Sequence, residues 1–331
     1  METVDVLIIG GGPAGLSCGI EAQRRGYSHL IVEQGGVADA IRRFPTNMTF
    51  FSTPELLELG SLPFVTPHVR PTRQEALVYY RKVVEHFGLN VLLHQRAVSG
   101  RKAEHGFNVF LEGGRELAAK RVIIATGYFD RPNRLEIPGE DLPHVAHFYD
   151  EPYRYYGSNV VVVGGQNSAV ETALELYRNG CKVTLVHRGA SLGSSVKYWV
   201  RPDIENRLRE GSIAHYFDSV VTRITEEAVH IECAHSIDRA NSIDRANGHS
   251  IVLLAQFVFL LTGYRPETEL LEAFGIAVDP QTIIPTHNPT SFETNVPGLY
   301  LAGSISCGCE TSNIFIENGR LHAQSIFDSF R

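Results

Sequence analysis

Two cysteines near the C-terminus, Cys307 and Cys309, have the residue type and the close spacing that redox chemistry uses. They lie one residue apart in the stretch AGSISCGCE, residues 302–310. In an extended chain their α-carbons would lie about 6 to 7 Å apart, so a disulfide between them would be strained and readily reduced. A catalytic thiol also needs exposure and a lowered pKa. The pair is therefore a candidate for the catalytic residues; the alternative is that small residues beside glycine let a cofactor approach closely.

A glycine-rich turn near the N-terminus predicts the binding of a dinucleotide. The apolar run from Val4 to Ile9 is typical of a buried strand and leads into GGGPAG and a helical stretch. The next strand, HLIVE, ends at Glu33, about 20 residues downstream, where an acid binds the nucleotide ribose. An acid there disfavours a 2'-phosphate, so this turn predicts FAD. The residues predicted to hold FAD here are Gly10, Gly12, Pro13, Ala14, Gly15, Glu33 and Gln34.

A second, weaker copy of this pattern lies in NVVVVGGQNSAVETALE, residues 159–175. Gln166 stands where the middle glycine of the turn usually lies. The following strand, KVTLVHR, ends in a cation, which favours the 2'-phosphate of NADPH; the alternative for Arg188 is a solvated charge at a strand end. The residues predicted to hold NADPH are Gly164, Gly165, Gln166, Asn167, Ser168, Ala169, His187, Arg188 and Lys197.

The elements around these turns predict two domains, one inserted into the other. Two similar segments lie on either side of the second turn: RVIIATGYFDRP at 121–132 and FVFLLTGYRP at 257–266. In each, glycine and proline follow an apolar strand, as expected where a chain passes from one domain to another. We expect an α/β protein with two Rossmann-like, three-layer, parallel-sheet domains. The NADPH domain, 129–262, interrupts an FAD domain formed by 1–128 and 263–331, in which Thr126 and Gly127 also contact FAD.

Composition excludes several other classes of partner. The chain has 331 residues and a net charge of -7, without a run of Lys or Arg, which argues against nucleic acid or anionic lipid. Its longest apolar run, 251–261, is too short for a membrane helix, and we expect a cytoplasmic protein. The five cysteines and the scattered histidines predict neither a disulfide framework nor a metal site. The duplicated hexapeptide SIDRAN, 236–247, fits a loop and receives no function.

Five segments, spread from residue 43 to residue 320, carry a resemblance to a known family. They are RFPTNMTFFSTPELLELG (43–60), RPTRQEALVYYRKV (70–83), ATGYFDRPNRLEIPGEDLPHVAHFY (125–149), VVVVGGQNSAVETALEL (160–176) and NIFIENGR (313–320). Together they resemble the bacillithiol disulfide reductase family of thioredoxin reductase-like flavoproteins. The resemblance implies an FAD-containing, NADPH-dependent reductase, with the NADPH domain inserted into the FAD domain, that is usually a homo-oligomer.

The chain departs from these relatives at its thiols. Thioredoxin reductases place a CxxC just before the second nucleotide strand, whereas the stretch 144–160 has no cysteine. Bacillithiol disulfide reductases typically carry a cysteine where this chain has Ala14. We interpret Cys18, one helical turn later, as a buried core residue.

The resemblance also implies FAD contacts near the C-terminus. NVPGLYLAGS, 295–304, is similar to the second FAD motif of this superfamily, with Ser304 in place of the usual Asp after Gly303. We expect the chain to run along the flavin to a helix that begins near Ile314 and Phe315, where the helix dipole would stabilise negative charge on the flavin.

The sequence therefore predicts hydride transfer from NADPH to FAD and then reduction of a small disulfide of the bacillithiol type, either directly or through a protein thiol. The alternatives are a ferredoxin or flavodoxin reductase, a flavin monooxygenase, which the GGQNSA turn faintly resembles, and a non-catalytic redox sensor. Rapid bleaching of the flavin by NADPH would argue against the sensor. Oxygen consumption with a specific organic substrate would favour the monooxygenase.

Overall fold

A computed structural model of the chain describes residues 3–234, 249–310 and 313–330, and the SIDRAN duplication lies outside them. The chain divides into two compact units. The first unit contains Met1–Arg131 and Tyr264–Arg331, and the second contains Pro132–Gly263. The chain thus leaves the first unit once and returns once, at 131/132 and 263/264, beside the boundaries 128/129 and 262/263 expected from the sequence.

The elements follow one another in three stretches. Before the second unit the chain forms β1 (Thr3–Ile9), α1 (Pro13–Arg24), β2 (His29–Val32), α2 (Asp39–Arg42), α3 (Pro54–Leu57), α4 (Arg73–Phe87), β3 (Val91–Leu92), β4 (Ala97–Ala103), β5 (Gly106–Leu111), β6 (Glu116–Ile124) and β7 (Arg131–Pro132). The second unit adds β8 (Val145–Ala146), β9 (Asn159–Val163), α5 (Asn167–Arg178), β10 (Lys182–Val186), α6 (Arg201–Glu210), β11 (Ala214–Tyr216), β12 (Ser219–Ile224), β13 (Ala228–Cys233), β14 (His249–Leu254) and β15 (Phe257–Leu260). The returning chain forms β16 (Tyr264–Arg265), α7 (Thr268–Ala273), β17 (Leu299–Leu301), α8 (Ile316–Gly319) and α9 (His322–Asp328).

The first unit is built on a seven-stranded sheet in the order β3-β2-β1-β6-β5-β4, with β17 also paired to β6. The early half of β6 pairs antiparallel with β5, and its last residues, Val122–Ile124, pair parallel with β17. The second half of β1, Val6–Ile9, is buried, as expected of a parallel strand covered on both faces. Helices α1, α4 and α9 pack on one face, and α7 with the antiparallel strands covers the other.

The second unit has a five-stranded parallel sheet in the order β11-β10-β9-β15-β8. Helices α5 and α6 pack on one face through residues such as Leu174 and Ile204. The antiparallel sheet β12-β13-β14 covers the other face, where Val229 and Ile231 meet Val258. The predicted three-layer fold is confirmed, and one outer layer of this unit is a sheet.

Local sequence signals explain where the elements begin and end. Helix α4 starts at a capping box in which the Thr72 hydroxyl accepts from the Glu75 amide while the Glu75 carboxylate accepts from the Thr72 amide. It ends at Gly88, which takes the left-handed conformation that glycine adopts at low cost. Within the described part of the chain, no helix is both long and apolar enough to cross a membrane.

Candidate active site

The first glycine-rich turn joins β1 to α1 at the carboxyl edge of the first unit's sheet. Gly10 has φ +113°, and a Cβ there would lie 2.5 Å from the Ala125 carbonyl oxygen. A Cβ on Gly15 would overlap the carbonyl oxygen of Gly10. Around Gly12, by contrast, nothing lies within 4 Å of an ideal Cβ. Two glycines thus hold the turn tight, and the third leaves an open cradle at the N-terminus of α1 that fits the pyrophosphate of a dinucleotide.

Glu33 is a buried acid fixed beside this turn. Its side chain is 6% exposed and accepts hydrogen bonds from the amides of Gly11, at 2.6 Å, and Gly35, at 2.8 Å. Burial raises the pKa of Glu33, although both amide hydrogen bonds oppose that shift. The next residue, Gln34, is exposed and donates to Asp130 at 2.9 Å. The carboxylate therefore stands at the strand end, where a ribose acceptor is needed.

Residues from three distant segments meet at the same edge. An ideal Cβ on Gly303, which has φ +74°, would lie 2.7 Å from the Ala14 Cβ. An ideal Cβ on Gly127 would lie 3.5 Å from the Ser304 Oγ. The Thr126 amide nitrogen lies 3.1 Å from the Cβ position of Gly10. The structure thus brings together the predicted residues of the first turn, the end of β6 and the end of β17.

The helix expected from Ile314 begins two residues later and is only one turn long. Helix α8 covers Ile316–Gly319, preceded by Phe315 in an extended conformation. The Asn318 side chain fixes this start, because it accepts from the Phe315 amide at 2.8 Å and donates to the Asn313 carbonyl at 2.9 Å. A one-turn helix sums few peptide dipoles, so its effect on a bound flavin is weaker than the expectation.

The two candidate cysteines lie in different environments. Cys307 is 7% exposed, and its thiol donates to the Ser304 carbonyl at 3.0 Å. Burial raises the pKa of Cys307. Cys309 is exposed. The chain between them is not extended, because a 3-10 turn, Gly303–Cys307, is followed by a sharp turn at Gly308 with φ +54°. Neither thiol forms a disulfide.

The remaining cysteines are buried, as the sequence predicted for Cys18. Cys18 is 0% exposed within α1, and burial raises its pKa. It packs in the core with Leu16 and Ile20. A thiol in this environment is a small apolar core residue.

The second turn, between β9 and α5, is more crowded than the first. A Cβ on Gly164 would lie 2.5 Å from the Leu261 carbonyl oxygen, and Ala169 fills the place of the third glycine at 2.8 Å from the same position. The His187 ring lies 2.5 Å from the Cβ position of Gly165. The side chain of Gln166 accepts a hydrogen bond from the Ser195 hydroxyl.

The segment 193–201 is tied to this turn by several hydrogen bonds, which the sequence did not predict. The Gly193 amide donates to the Gly165 carbonyl at 2.9 Å. The Asn167 side chain donates to the Ser195 carbonyl at 3.0 Å and accepts from the Lys197 amide at 2.9 Å. The sequence did contain one indication of this contact: Gln166 and Asn167 are polar residues in a turn where glycine is usual, and their side chains bind the segment.

The three basic residues predicted for the NADPH site, His187, Arg188 and Lys197, differ in what surrounds them. Arg188 is exposed at the end of β10. Next to it, His187 is half-buried, and burial lowers its pKa, with a smaller effect from Arg188. Lys197 forms an ion pair with Glu171 at 2.5 Å. Ser168, at the start of α5, is exposed. The structure thus places His187 and Arg188 beside the second turn and binds Lys197 to α5.

An open groove in the first unit, of about 510 Å³, was also missed by the sequence predictions. Its lining residues come from three of the segments that carry the resemblance, 43–60, 70–83 and 313–320, and they include Phe315, which was predicted to contact FAD. The groove is lined by residues that include Phe51, Ser52, Leu56, Arg70, Phe315 and Glu317. Among the described residues, no three or more His, Cys, Asp or Glu side chains are grouped to hold a metal ion.

Comparison with known proteins decides the family. Residues 7–303 match the pyridine nucleotide-disulphide oxidoreductase family. The chain belongs to this family. It is 38% identical over 320 residues to bacilliredoxin reductase of Bacillus subtilis, covering 97% of this chain and 95% of that protein. It is 26% identical over 309 residues to a ferredoxin–NADP reductase of Ignicoccus hospitalis, covering 91% and 90% of the two chains.

Among solved structures, the fold is similar to bacillithiol disulfide reductase from Bacillus cereus, with a TM-score of 0.92 and 36% identity over 99% of this chain and 98% of the other. The resemblance inferred from the sequence is confirmed. As a member of the pyridine nucleotide-disulphide oxidoreductase family, the chain is an oxidoreductase that uses a flavin and a pyridine nucleotide.

Proposed function

We propose that this oxidoreductase uses FAD and NADPH and reduces a low-molecular-weight disulfide of the bacillithiol type. The proposed class of acceptor rests on one observation: over nearly its whole length, the chain is similar to a bacilliredoxin reductase and to a bacillithiol disulfide reductase. The cofactor assignment rests on the two strand ends. Buried Glu33 suits the ribose of FAD, whereas His187 and Arg188 suit the 2'-phosphate of NADPH.

In this proposal the first unit holds FAD. The cradle at Gly12 takes the pyrophosphate, and Glu33 accepts from ribose hydroxyls. Gly303 brings the backbone close to the cofactor because it has no side chain, and the Ser304 hydroxyl can pair with a ribityl hydroxyl. Thr126, Gly127, Ile314 and Phe315 complete the proposed contacts.

The second unit holds NADPH in the same proposal. The N-terminus of α5 faces the pyrophosphate, and Arg188 and His187 pair with the 2'-phosphate. The hydrogen bonds of Asn167 fix the segment 193–201 against the turn, so that both sides of the nucleotide site are positioned before binding.

When bound, a flavin accepts hydride from reduced nicotinamide and supplies two electrons to an acceptor. A hydride and one proton from solvent break the sulfur–sulfur bond and leave two thiols. We propose that the acceptor is reduced directly, because position 14 is alanine and burial raises the pKa of the Cys307 thiol, which donates a hydrogen bond to the Ser304 carbonyl. The second route uses Cys309, the exposed member of the pair, with Cys307.

The test is an anaerobic half-reaction. The purified holoprotein is reduced with NADPH, excess nucleotide is removed, bacillithiol disulfide is added, and flavin absorbance is followed. We expect rapid reoxidation, with Cys307→Ser and Cys309→Ser within about twofold of wild type. Loss of reoxidation in either variant would establish the thiol route instead.

A flavin that stays reduced with bacillithiol disulfide would contradict the proposed acceptor. Ferredoxin is then the next acceptor to test, because the chain is also similar to a ferredoxin–NADP reductase and has no CxxC.

A further inference from the structure

We propose that the open groove of the first unit binds the acceptor disulfide through a half that carries both a carboxylate and an ammonium group. This inference rests on the proposed function and adds the chemistry of its substrate. The groove volume of about 510 Å³ falls within the roughly 300–1,000 Å³ typical of small-molecule sites. It therefore has room for one half of a thiol-derived disulfide, and its opening leaves room for the other half.

Aromatic side chains form an apolar wall of the groove. Phe51 is 37% exposed and Phe315 is 42% exposed, although both are large and apolar. Their rings pack edge to face, with centroids 5.6 Å apart. Leu56 beside them is 47% exposed. Together these side chains offer an apolar surface that the apolar part of a ligand can cover.

Two side chains of opposite charge line the same groove. Arg70 supplies a guanidinium, and Glu317 supplies a carboxylate that accepts a hydrogen bond from the hydroxyl of buried Ser52. A guanidinium recognises a carboxylate, and a carboxylate recognises an ammonium group. A ligand with a single charge would be attracted by one of these residues and repelled by the other. An amino-acid-derived thiol carries both groups.

The groove adjoins the edge where we place the flavin. Glu317 lies on α8, and Gly319, at the end of this helix, has its Cβ position 3.2 Å from the Gly303 Cα. Gly303 in turn packs against Ala14 of the first turn. A disulfide in the groove is therefore held one helical turn from the loop assigned to the flavin.

The experiment compares disulfides that differ in charge. Holoprotein reduced with NADPH is reoxidised anaerobically with L-cystine, which has both groups, 3,3'-dithiodipropionate, which has only carboxylates, and cystamine, which has only ammonium groups. We expect L-cystine to have the lowest apparent KM. Arg70→Gln raises the KM for L-cystine and dithiodipropionate about tenfold and lowers the KM for cystamine, because it removes a like charge. Glu317→Gln raises the KM for L-cystine and cystamine about tenfold and lowers the KM for dithiodipropionate for the same reason.

Binding is also measured without turnover. L-Cystathionine has the amino-acid ends and no disulfide, and calorimetry with the oxidised holoprotein gives its affinity. Arg70→Gln and Glu317→Gln each weaken it about tenfold. The matched control is Arg115→Gln, which removes an exposed arginine of the first unit outside the groove. Arg70→Lys keeps the charge and recovers most of the affinity, which separates loss of charge from loss of fold.

The outcomes separate this inference from the function on which it rests. If the Arg70, Glu317 and Arg115 variants behave alike toward every probe, the groove is not the acceptor site, although disulfide reduction stands. If no disulfide reoxidises the wild-type protein, the proposed function fails, and L-cystathionine binding alone decides whether the groove takes this class of ligand.

Discussion

His322 is a buried histidine that supports the loop assigned to the flavin. It is 7% exposed, and its Nδ1 accepts a hydrogen bond from the Gly303 amide at 3.2 Å. Its ring stacks on Phe292, with centroids 3.9 Å apart. Burial lowers the pKa of His322 to about 4, and nearby His287 contributes in the same direction. Protonation would put a second donor opposite the Gly303 amide and a charge in the core.

We predict that this histidine makes the protein less stable in acid. Its pKa is about 4 in the folded protein and 6.5 in the unfolded chain, so the unfolded chain takes up a proton first as the pH falls. The free energy of unfolding is therefore unaffected by this histidine above pH 6.5 and decreases as the pH falls toward 4. The loss approaches roughly 3 kcal/mol. His322→Gln, which cannot titrate, should show a shallower decline in the urea midpoint between pH 7 and 4.5. The control is His105→Gln, which changes an exposed histidine and should keep the steep decline. If the urea midpoint of His322→Gln declines as steeply as that of His105→Gln, the prediction is contradicted.

At the scale of elements, the contact between segment 193–201 and the second turn predicts how NADPH is held. Asn167→Ala removes two hydrogen bonds that fix this segment, each contributing about 1 kcal/mol. We expect the KM for NADPH in flavin reduction to rise about tenfold, while the limiting rate changes little. Stopped-flow reduction measures both constants.

The matched control lies on the same helix. Asn179→Ala removes an amide at the C-terminal cap of α5, where the side chain donates to the Glu175 carbonyl. We expect its KM for NADPH to equal that of wild type. Equal constants for Asn167→Ala and Asn179→Ala would mean that segment 193–201 does not position the nucleotide.

The sequence predicted the elements whose signals are local. Glycines at Gly10 and Gly15 have no room for a side chain, so their spacing alone marks the turn between β1 and α1. The bend after Cys307 was missed because it depends on Gly308 packing against the distant carbonyl of Thr282, and not on its neighbours in sequence. The groove was missed for the same reason, since Ser52 and Glu317 lie 265 residues apart.

At the scale of the molecule, each unit has its own core, which predicts that the two nucleotide sites can be lost separately. Glu33→Gln places an amide group against the Gly11 or Gly35 amide and should weaken FAD binding tenfold or more. NADP⁺ binding to the same variant should match wild type. Trp199, the one tryptophan of the chain, lies in the second unit, and we expect its fluorescence to change on NADP⁺ binding.

The control for this prediction is Glu112→Gln, at an exposed glutamate of the first unit. It should retain FAD as wild type does. Parallel loss of FAD and NADP⁺ affinity in Glu33→Gln would show that the two units do not bind independently.

The discontinuity of the first unit has a consequence for how the protein is made on the ribosome. Its helical core is closed by Ile326 and Phe327 of α9, which pack with Leu16 and Ile20 of α1 across the length of the chain. The continuous second unit, Pro132–Gly263, can therefore complete its core while the first unit still lacks its final strand and helices. Nascent α1 and β1 therefore keep apolar surface exposed until α9 has been synthesised, and we expect flavin loading to follow the synthesis of α9.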